Sequence, residues 1–172
     1  LFIDGARLGY ALTATGNDVT LEDIARIADV FYIGGTKVGA MFGEAVVFTH
    51  GNMPKNFVTL VKQHGALLAK GWLLGVQFDT LFTDNLYCRI ARRANDAADR
   101  IREVLVERGY TLTFDAPTNQ IFITLDNETS ERLQRSVRLG FMEKADDTHT
   151  VMRICTSWAT TDKQVEQLIA LL

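Results

Sequence analysis

The sequence has little of the residue types that mark special classes of protein. In 172 residues there are two prolines, Pro54 and Pro117, two cysteines, Cys88 and Cys155, and three histidines, His50, His64 and His149. Two cysteines cannot build a disulfide framework, and the simpler expectation is a reducing compartment, the cytoplasm. No two histidines stand at the i, i+4 spacing of a helical metal pair, and the cysteines lie far apart in sequence, so no metal site is assigned. No apolar run reaches the ~18–20 residues that a bilayer requires, and no secretory signal is visible. There is no excess of basic charge. Eighteen Lys and Arg against 21 Asp and Glu leave a net charge of −3. That argues against a general nucleic-acid surface, which works by displacing phosphate counterions.

What is present suits a folded domain, or one and a part. Hydrophobic residues make up 47% of the chain and charged residues 23%, which gives material for a core and excludes wholesale disorder. The chain opens at Leu1, without Met, directly in an apolar run, and is expected to be a piece of a longer protein.

Leu1-Phe2-Ile3 stops at Asp4. Thr20 opens a helix through Ile27, with Asp23 in capping-box position. Val30-Phe31-Tyr32-Ile33, closed by Gly34-Gly35, and Ala45-Val46-Val47-Phe48 are apolar on every residue. This predicts strands covered on both faces and a largely parallel sheet. Asn56 to Phe82 reads as one or two helices weakened by Gly65, Gly71 and Gly75. Leu86, Ile90, Ala94, Ala97, Ile101 and Leu105 then mark one face of a helix that ends at Gly109. Arg89, Arg92, Arg93, Arg100 and Arg102 lie on that helix, but Asp96, Asp99 and Glu103 are interleaved, as on a solvated face. The last third predicts strands at Gln120–Leu125, Gly140–Lys144 and Thr150–Ser157. Helices are predicted at Glu128–Val137 and Thr161–Leu172, the latter with a capping box of Thr161 and Gln164. A domain boundary is expected near Gly51 and Pro54, dividing residues 1–52 from 53–172.

Three places could carry chemistry. Lys37 lies in Gly34-Gly35-Thr36-Lys37-Val38-Gly39, just after a strand. Glycines there let backbone approach a ligand closely, and a lysine that loses hydration can serve as an amine nucleophile toward a carbonyl. A lysine in a surface turn is the plain alternative. A phosphate-binding loop is excluded by residue order, since Thr36 precedes the lysine instead of following it. Asp4 ends the first strand, before Gly5-Ala6-Arg7. A carboxylate at a strand's carboxyl end can hold a cationic ring nitrogen, or it can cap a turn. Arg153 alternates with Val151 and Cys155 on one strand face. A guanidinium among such neighbours needs an anion, and carboxylates fit its fork, unless it is simply an edge-strand charge. There is no Gly-x-Ser-x-Gly element to support an α/β-hydrolase.

These stretches resemble one branch of the fold-type I pyridoxal-phosphate enzymes, the low-specificity threonine aldolase and amino-acid β-eliminating lyase family. Asp4-Gly5-Ala6-Arg7 resembles its Asp-Gly-Ala-Arg signature, and Gly34 to Gly39 its cofactor-lysine segment. Lys62-Gln63-His64-Gly65 through Lys70 resembles the basic helix that follows. Val151-Met152-Arg153-Ile154 with Trp158 resembles a late strand that supplies a second arginine.

The resemblance implies an α/β fold: part of a fold-type I large domain, with a mostly parallel sheet, followed by a small α+β C-terminal domain. Lys37 would be the catalytic lysine that binds pyridoxal 5'-phosphate, and Asp4 would pair with its ring nitrogen. Lys70 would lie near its phosphate. Arg7 and Arg153 would hold the carboxylate of an amino-acid substrate. The activity implied is cleavage of a β-hydroxy amino acid to glycine and an aldehyde, with β-elimination as the alternative, in a cytoplasmic homodimer or homotetramer with neither nucleic-acid nor membrane partners. The family's earlier half supplies the phosphate-cradling loop and a histidine that stacks on the ring. The chain by itself is therefore expected to hold cofactor weakly or not at all; an inactive piece that only self-associates is the alternative reading.

Overall fold

A computed structural model describes residues 1–172, and they pack into two compact units. The first comprises Leu1–Leu12 and Asn17–Ile90, the second Thr13–Gly16 and Ala91–Leu172. The sequence places its boundary near Gly51 and Pro54. By packing, residues 17–90 cluster together and the division falls inside a long helix. Upstream of Pro54, Gly35 lies against Phe78 and Gly43 against Leu74, which ties the helix of residues 72–82 to the loop of residues 35–43.

The first unit is built on three strands in the order β1 (Phe2–Ile3), β2 (Val30–Gly34) and β3 (Glu44–Phe48). β1 runs parallel to β2, with Phe2 opposite Val30 and Ile3 opposite Phe31. Between them lie α1 (Leu8–Leu12) and α2 (Leu21–Ile27). The capping box of α2 forms as the sequence predicts: the Thr20 side chain accepts from the backbone of Asp23, and the Asp23 side chain accepts in return from that of Thr20. β3 is antiparallel to β2, from Val30 opposite Phe48 to Gly34 opposite Glu44, so this sheet is mixed where a largely parallel one was expected. The reason is the connection. Residues 35–43 hold only a single 3-10 turn, and a parallel return needs a crossover of roughly a dozen residues or more.

Nor are both faces covered. Phe31 and Ile33 are buried, while Phe2 and Val46 are 62% and 51% exposed. The rest of the unit is α3 (Phe57–Gln63), which ends before Gly65 at φ +69°, and α4 (Trp72–Phe82). A short turn then leads into α5 (Leu86–Glu107). Gly109, at φ +78°, follows the end of α5, as the sequence predicts.

The second unit is a four-stranded antiparallel sheet in the order β4 (Thr111–Leu112), β5 (Gln120–Asp126), β7 (His149–Cys155), β6 (Gly140–Lys144). Alternate residues of β5, namely Ile121, Ile123 and Leu125, join Met152 and Ile154 of β7 in one core. That core also takes Ala98, Ile101 and Leu105 of α5, Leu133 of α6 (Asn127–Gln134) and Val165 of α7 (Asp162–Leu171). α7 carries the predicted capping box of Thr161 and Gln164. The buried line of α5 is Tyr87, Ala91, Ala94, Ala98, Ile101 and Leu105. Leu86, Ile90 and Ala97 of the predicted stripe flank it and are half-buried. On the outer side of α5, Arg100 pairs with Glu166. Arg102 pairs with Asp99 and also donates to the carbonyls of Ala116 and Thr118 at 2.6 and 3.0 Å.

Candidate active site

Asp4 and Lys37 meet because β1 and β2 are parallel neighbours, so that both chains leave the sheet at the same edge, the carboxyl end where α/β folds bind ligands. What lets the two exits approach is glycine. The N–H of Gly34 donates to the carbonyl of Gly5 at 2.9 Å. A Cβ on Gly5 would stand 1.6 Å from the Tyr32 carbonyl oxygen, and one on Gly34 would stand 2.6 Å from that of Ala6. Backbone fills the space that side chains would need.

On the Asp4 side the chain makes a tight turn. The N–H of Ala6 donates to Asp4 Oδ1 at 2.9 Å, the N–H of Leu8 to the Gly5 carbonyl at 3.0 Å, and α1 begins. The sequence pattern of an aspartate two residues before a paired N–H signals such a turn. It gave no sign of Tyr32, whose hydroxyl donates to the same Oδ1. Both donors use one oxygen, so Asp4 Oδ2 is left for another partner. The Tyr32 hydrogen bond holds the Asp4 carboxyl below its usual value of 3.8, helped by the Ala6 N–H; the Lys37 and Arg7 cations add to the effect. Lys37, Arg7 and Asp4 therefore stand within electrostatic reach of one another. In return Asp4 pushes the Tyr32 phenol up to about 12. Tyr32→Phe is expected to return the Asp4 titration toward 3.8, so that its charge is lost at a higher pH than in the parent. Carboxyl carbon NMR checks this, and an unchanged midpoint would remove Tyr32 from the site.

On the Lys37 side the chain is held from several directions. Thr36–Val38 forms a 3-10 turn, closed by the N–H groups of Val38 and Ala40 on the Gly35 carbonyl at 2.9 and 3.0 Å. Gly39 turns the chain out at φ +103°. The Tyr10 hydroxyl donates to the Lys37 carbonyl. Tyr87, fully buried in the first turn of α5, donates to the Gly34 carbonyl at 2.9 Å and accepts from the Gly9 N–H at 3.0 Å. Burial pushes its phenol well above the usual range. None of the three tyrosines was marked by the sequence, because each acts across a distance in the chain that local pattern does not measure. Lys37 itself is half-buried and makes no salt bridge.

The other predicted residues fall elsewhere. Lys70 is exposed in the turn before α4, and only its carbonyl is engaged, by the N–H of Leu73 at 3.1 Å. Arg153 belongs to the second unit, on β7. Its Nη1 donates to Gln120 Oε1 at 3.2 Å, while its Nε is buried with no partner. A buried guanidinium N–H without an acceptor is costly, and an acceptor supplied by a ligand would relieve that cost.

No protein-family model matches the chain. Among solved structures, threonine aldolase of Leishmania major superposes with a TM-score of 0.95, at 42% identity over 99% of this chain and 50% of that one.

The chain is a relative of the threonine aldolases.

Two curated low-specificity L-threonine aldolases agree. That of Pseudomonas aeruginosa is 30% identical over 135 residues, which is 78% of this chain and 39% of that protein. That of a Pseudomonas species is 28% identical over 171 residues, 99% of this chain and 49% of that protein. This threonine aldolase relative thus spans less than half the length of the curated proteins it matches. A serine palmitoyltransferase of Sphingomonas wittichii, at 17% identity and a TM-score of 0.65, shows the fold alone. Together these matches give the threonine aldolase relative the α/β fold of the C-terminal part of a fold-type I pyridoxal-phosphate enzyme.

Proposed function

We propose that this chain is part of a pyridoxal-phosphate-dependent aldehyde-lyase that cleaves β-hydroxy amino acids of the threonine type to glycine and an aldehyde. The observation that carries the reading is the juxtaposition of Lys37 with the unengaged Oδ2 of Asp4, at one sheet edge of a chain so similar to a threonine aldolase. The donor set fits the cofactor. A carboxylate kept ionised by Tyr32 and Ala6 suits a protonated ring nitrogen, and a lysine on a rigid glycine-flanked turn suits a covalent attachment. When bound, the cofactor supplies an electron sink for the pair released at the substrate Cα.

The chain's own residues have separate tasks. Lys37 would hold the cofactor through its amine. Asp4, whose Oδ2 is not taken by Ala6 or Tyr32, would hold the ring nitrogen in its protonated form. Arg7 and Arg153 take the substrate carboxylate, and Lys70 supplies positive charge for the cofactor phosphate. The complete protein works as a homodimer or homotetramer, consistent with the exposure of Met41, Phe42, Trp72 and Leu73 in the first unit. No helix is long and apolar enough to cross a membrane. Cys88 and Cys155 are not joined in a disulfide, which accords with a reducing compartment such as the cytoplasm.

The test is direct. The complete gene product is loaded with pyridoxal phosphate, reduced with borohydride and digested. The cofactor mass is expected on the peptide that contains Lys37. A label on another lysine alone would overturn the assignment.

A further inference from the structure

Arg153 faces Phe122 of β5 on one side and Gly140 of β6 on the other. Gly140 lies alongside its side chain: a Cβ there would make ordinary contact, at 3.6 Å, with both Arg153 Cβ and Nε. No carboxylate pairs with the guanidinium. Its one side-chain partner is the amide oxygen of Gln120, at Nη1, and its Nε is buried without an acceptor. A guanidinium presents its N–H groups in a fixed plane, so engaging one end fixes where the others point. With Nη1 taken, the edge left without a partner is the one formed by Nε and Nη2.

We propose that Gln120 is a positioning residue for substrate recognition: by holding Nη1 it turns the Nε–Nη2 edge of Arg153 toward the two oxygens of the substrate carboxylate. This rests on the assignment of Arg153 to that carboxylate. The residue type is part of the argument. Glutamate at position 120 would hold the guanidinium equally well but would neutralise it, whereas an amide orients the charge and leaves it for the ligand. A guanidinium without such an anchor must be ordered when the ligand binds, and affinity falls by that cost. A side chain that merely filled space at the start of β5 would alter stability without distinguishing ligands by their carboxylate.

The experiment uses the complete gene product loaded with cofactor, and two ligands, glycine and glycinamide, which differ in the carboxylate. Binding is read from the absorbance change of the cofactor, and threonine cleavage from steady-state kinetics. Q120M is expected to weaken glycine about tenfold, the scale of one hydrogen bond to a charged group, and to leave glycinamide within about twofold. KM for threonine should rise about tenfold with kcat within about twofold. Q120N, whose amide is one methylene too short to reach, should behave the same way and serves if Q120M folds poorly. In an R153K background, where no Nε–Nη2 edge exists, Q120M should add less than about twofold. The proposal falls if Q120M and Q120N leave glycine within about twofold while R153K weakens it, or if the Q120M and R153K effects simply multiply. If R153K also leaves glycine unchanged, the assignment of Arg153 itself is wrong, and the role of Gln120 falls with it.

Discussion

Lys37→Ala in the complete gene product is expected to lower the rate of threonine cleavage by at least about a thousandfold, the upper range for a side chain that takes part in bond making. The turn around Lys37 is fixed by backbone hydrogen bonds from Val38 and Ala40, by Tyr10 on the Lys37 carbonyl and by Gly39, and none of these involves the lysine side chain. Removing the amine therefore leaves the loop in place, and the loss is chemical. Lys37→Arg separates charge from reactivity. It keeps a cation near Asp4 but offers a group too basic to act as a nucleophile, so it should be as inactive as the alanine variant. Both should unfold at the parent's urea midpoint within experimental spread. Full activity in Lys37→Ala would overturn the function proposed here.

The second large effect is expected at Gly5. In Gly5→Ala the new methyl group would lie 1.6 Å from the Tyr32 carbonyl oxygen and 2.8 Å from its carbon. Both are backbone atoms of a central strand, which cannot swing aside as a flexible side chain does. The strand must move, breaking the 2.9 Å bond from the Gly34 N–H to the Gly5 carbonyl. Overpacking of this kind costs about 3 kcal/mol or more. Because the displaced segments carry Asp4 and Lys37, cofactor affinity should fall as well. Gly75→Ala, in α4, is the contrast. Nothing lies within 4 Å of a Cβ there, so the change is expected to be neutral or stabilising by up to about 1 kcal/mol, the intrinsic helical advantage of alanine. Urea unfolding of the three proteins decides the matter. Equal midpoints for Gly5→Ala and the parent would show that β1 and β2 do not need their close approach.

Short-range chemistry was legible in the sequence. The capping boxes at Thr20 and Thr161, the glycine stop at position 109, and the strands before Asp4 and Lys37 depend on neighbours a few residues away, and they stand where local pattern puts them. Asp4 and Lys37 were readable as a pair because parallel strands bring their exits to one edge. The direction of β3 was not read from its apolar run, since Ala45–Phe48 would look the same either way. The information lay in the length of the loop before it. α1 and β4 are too short to show a period. Tyr32 was taken as one more apolar strand residue. Its alternation with Phe31 and Ile33 placed it on the opposite face, but only the fold puts the Asp4 carboxylate at the end of its ring. Gln120 escaped notice for the same reason: its importance comes from Arg153, 33 residues downstream.

The phenol of Tyr87 bonds both Gly9 and Gly34, and so joins stretches 78 and 53 residues upstream of it. During translation the turn that presents Lys37 leaves the ribosome long before this tyrosine does. Until position 87 has emerged, the hydrogen bonds within the Lys37 turn can form, but the link that Tyr87 makes between the Gly9 and Gly34 stretches is missing. Completion of the framework around the Lys37 turn is thus a late event in the life of the nascent polypeptide.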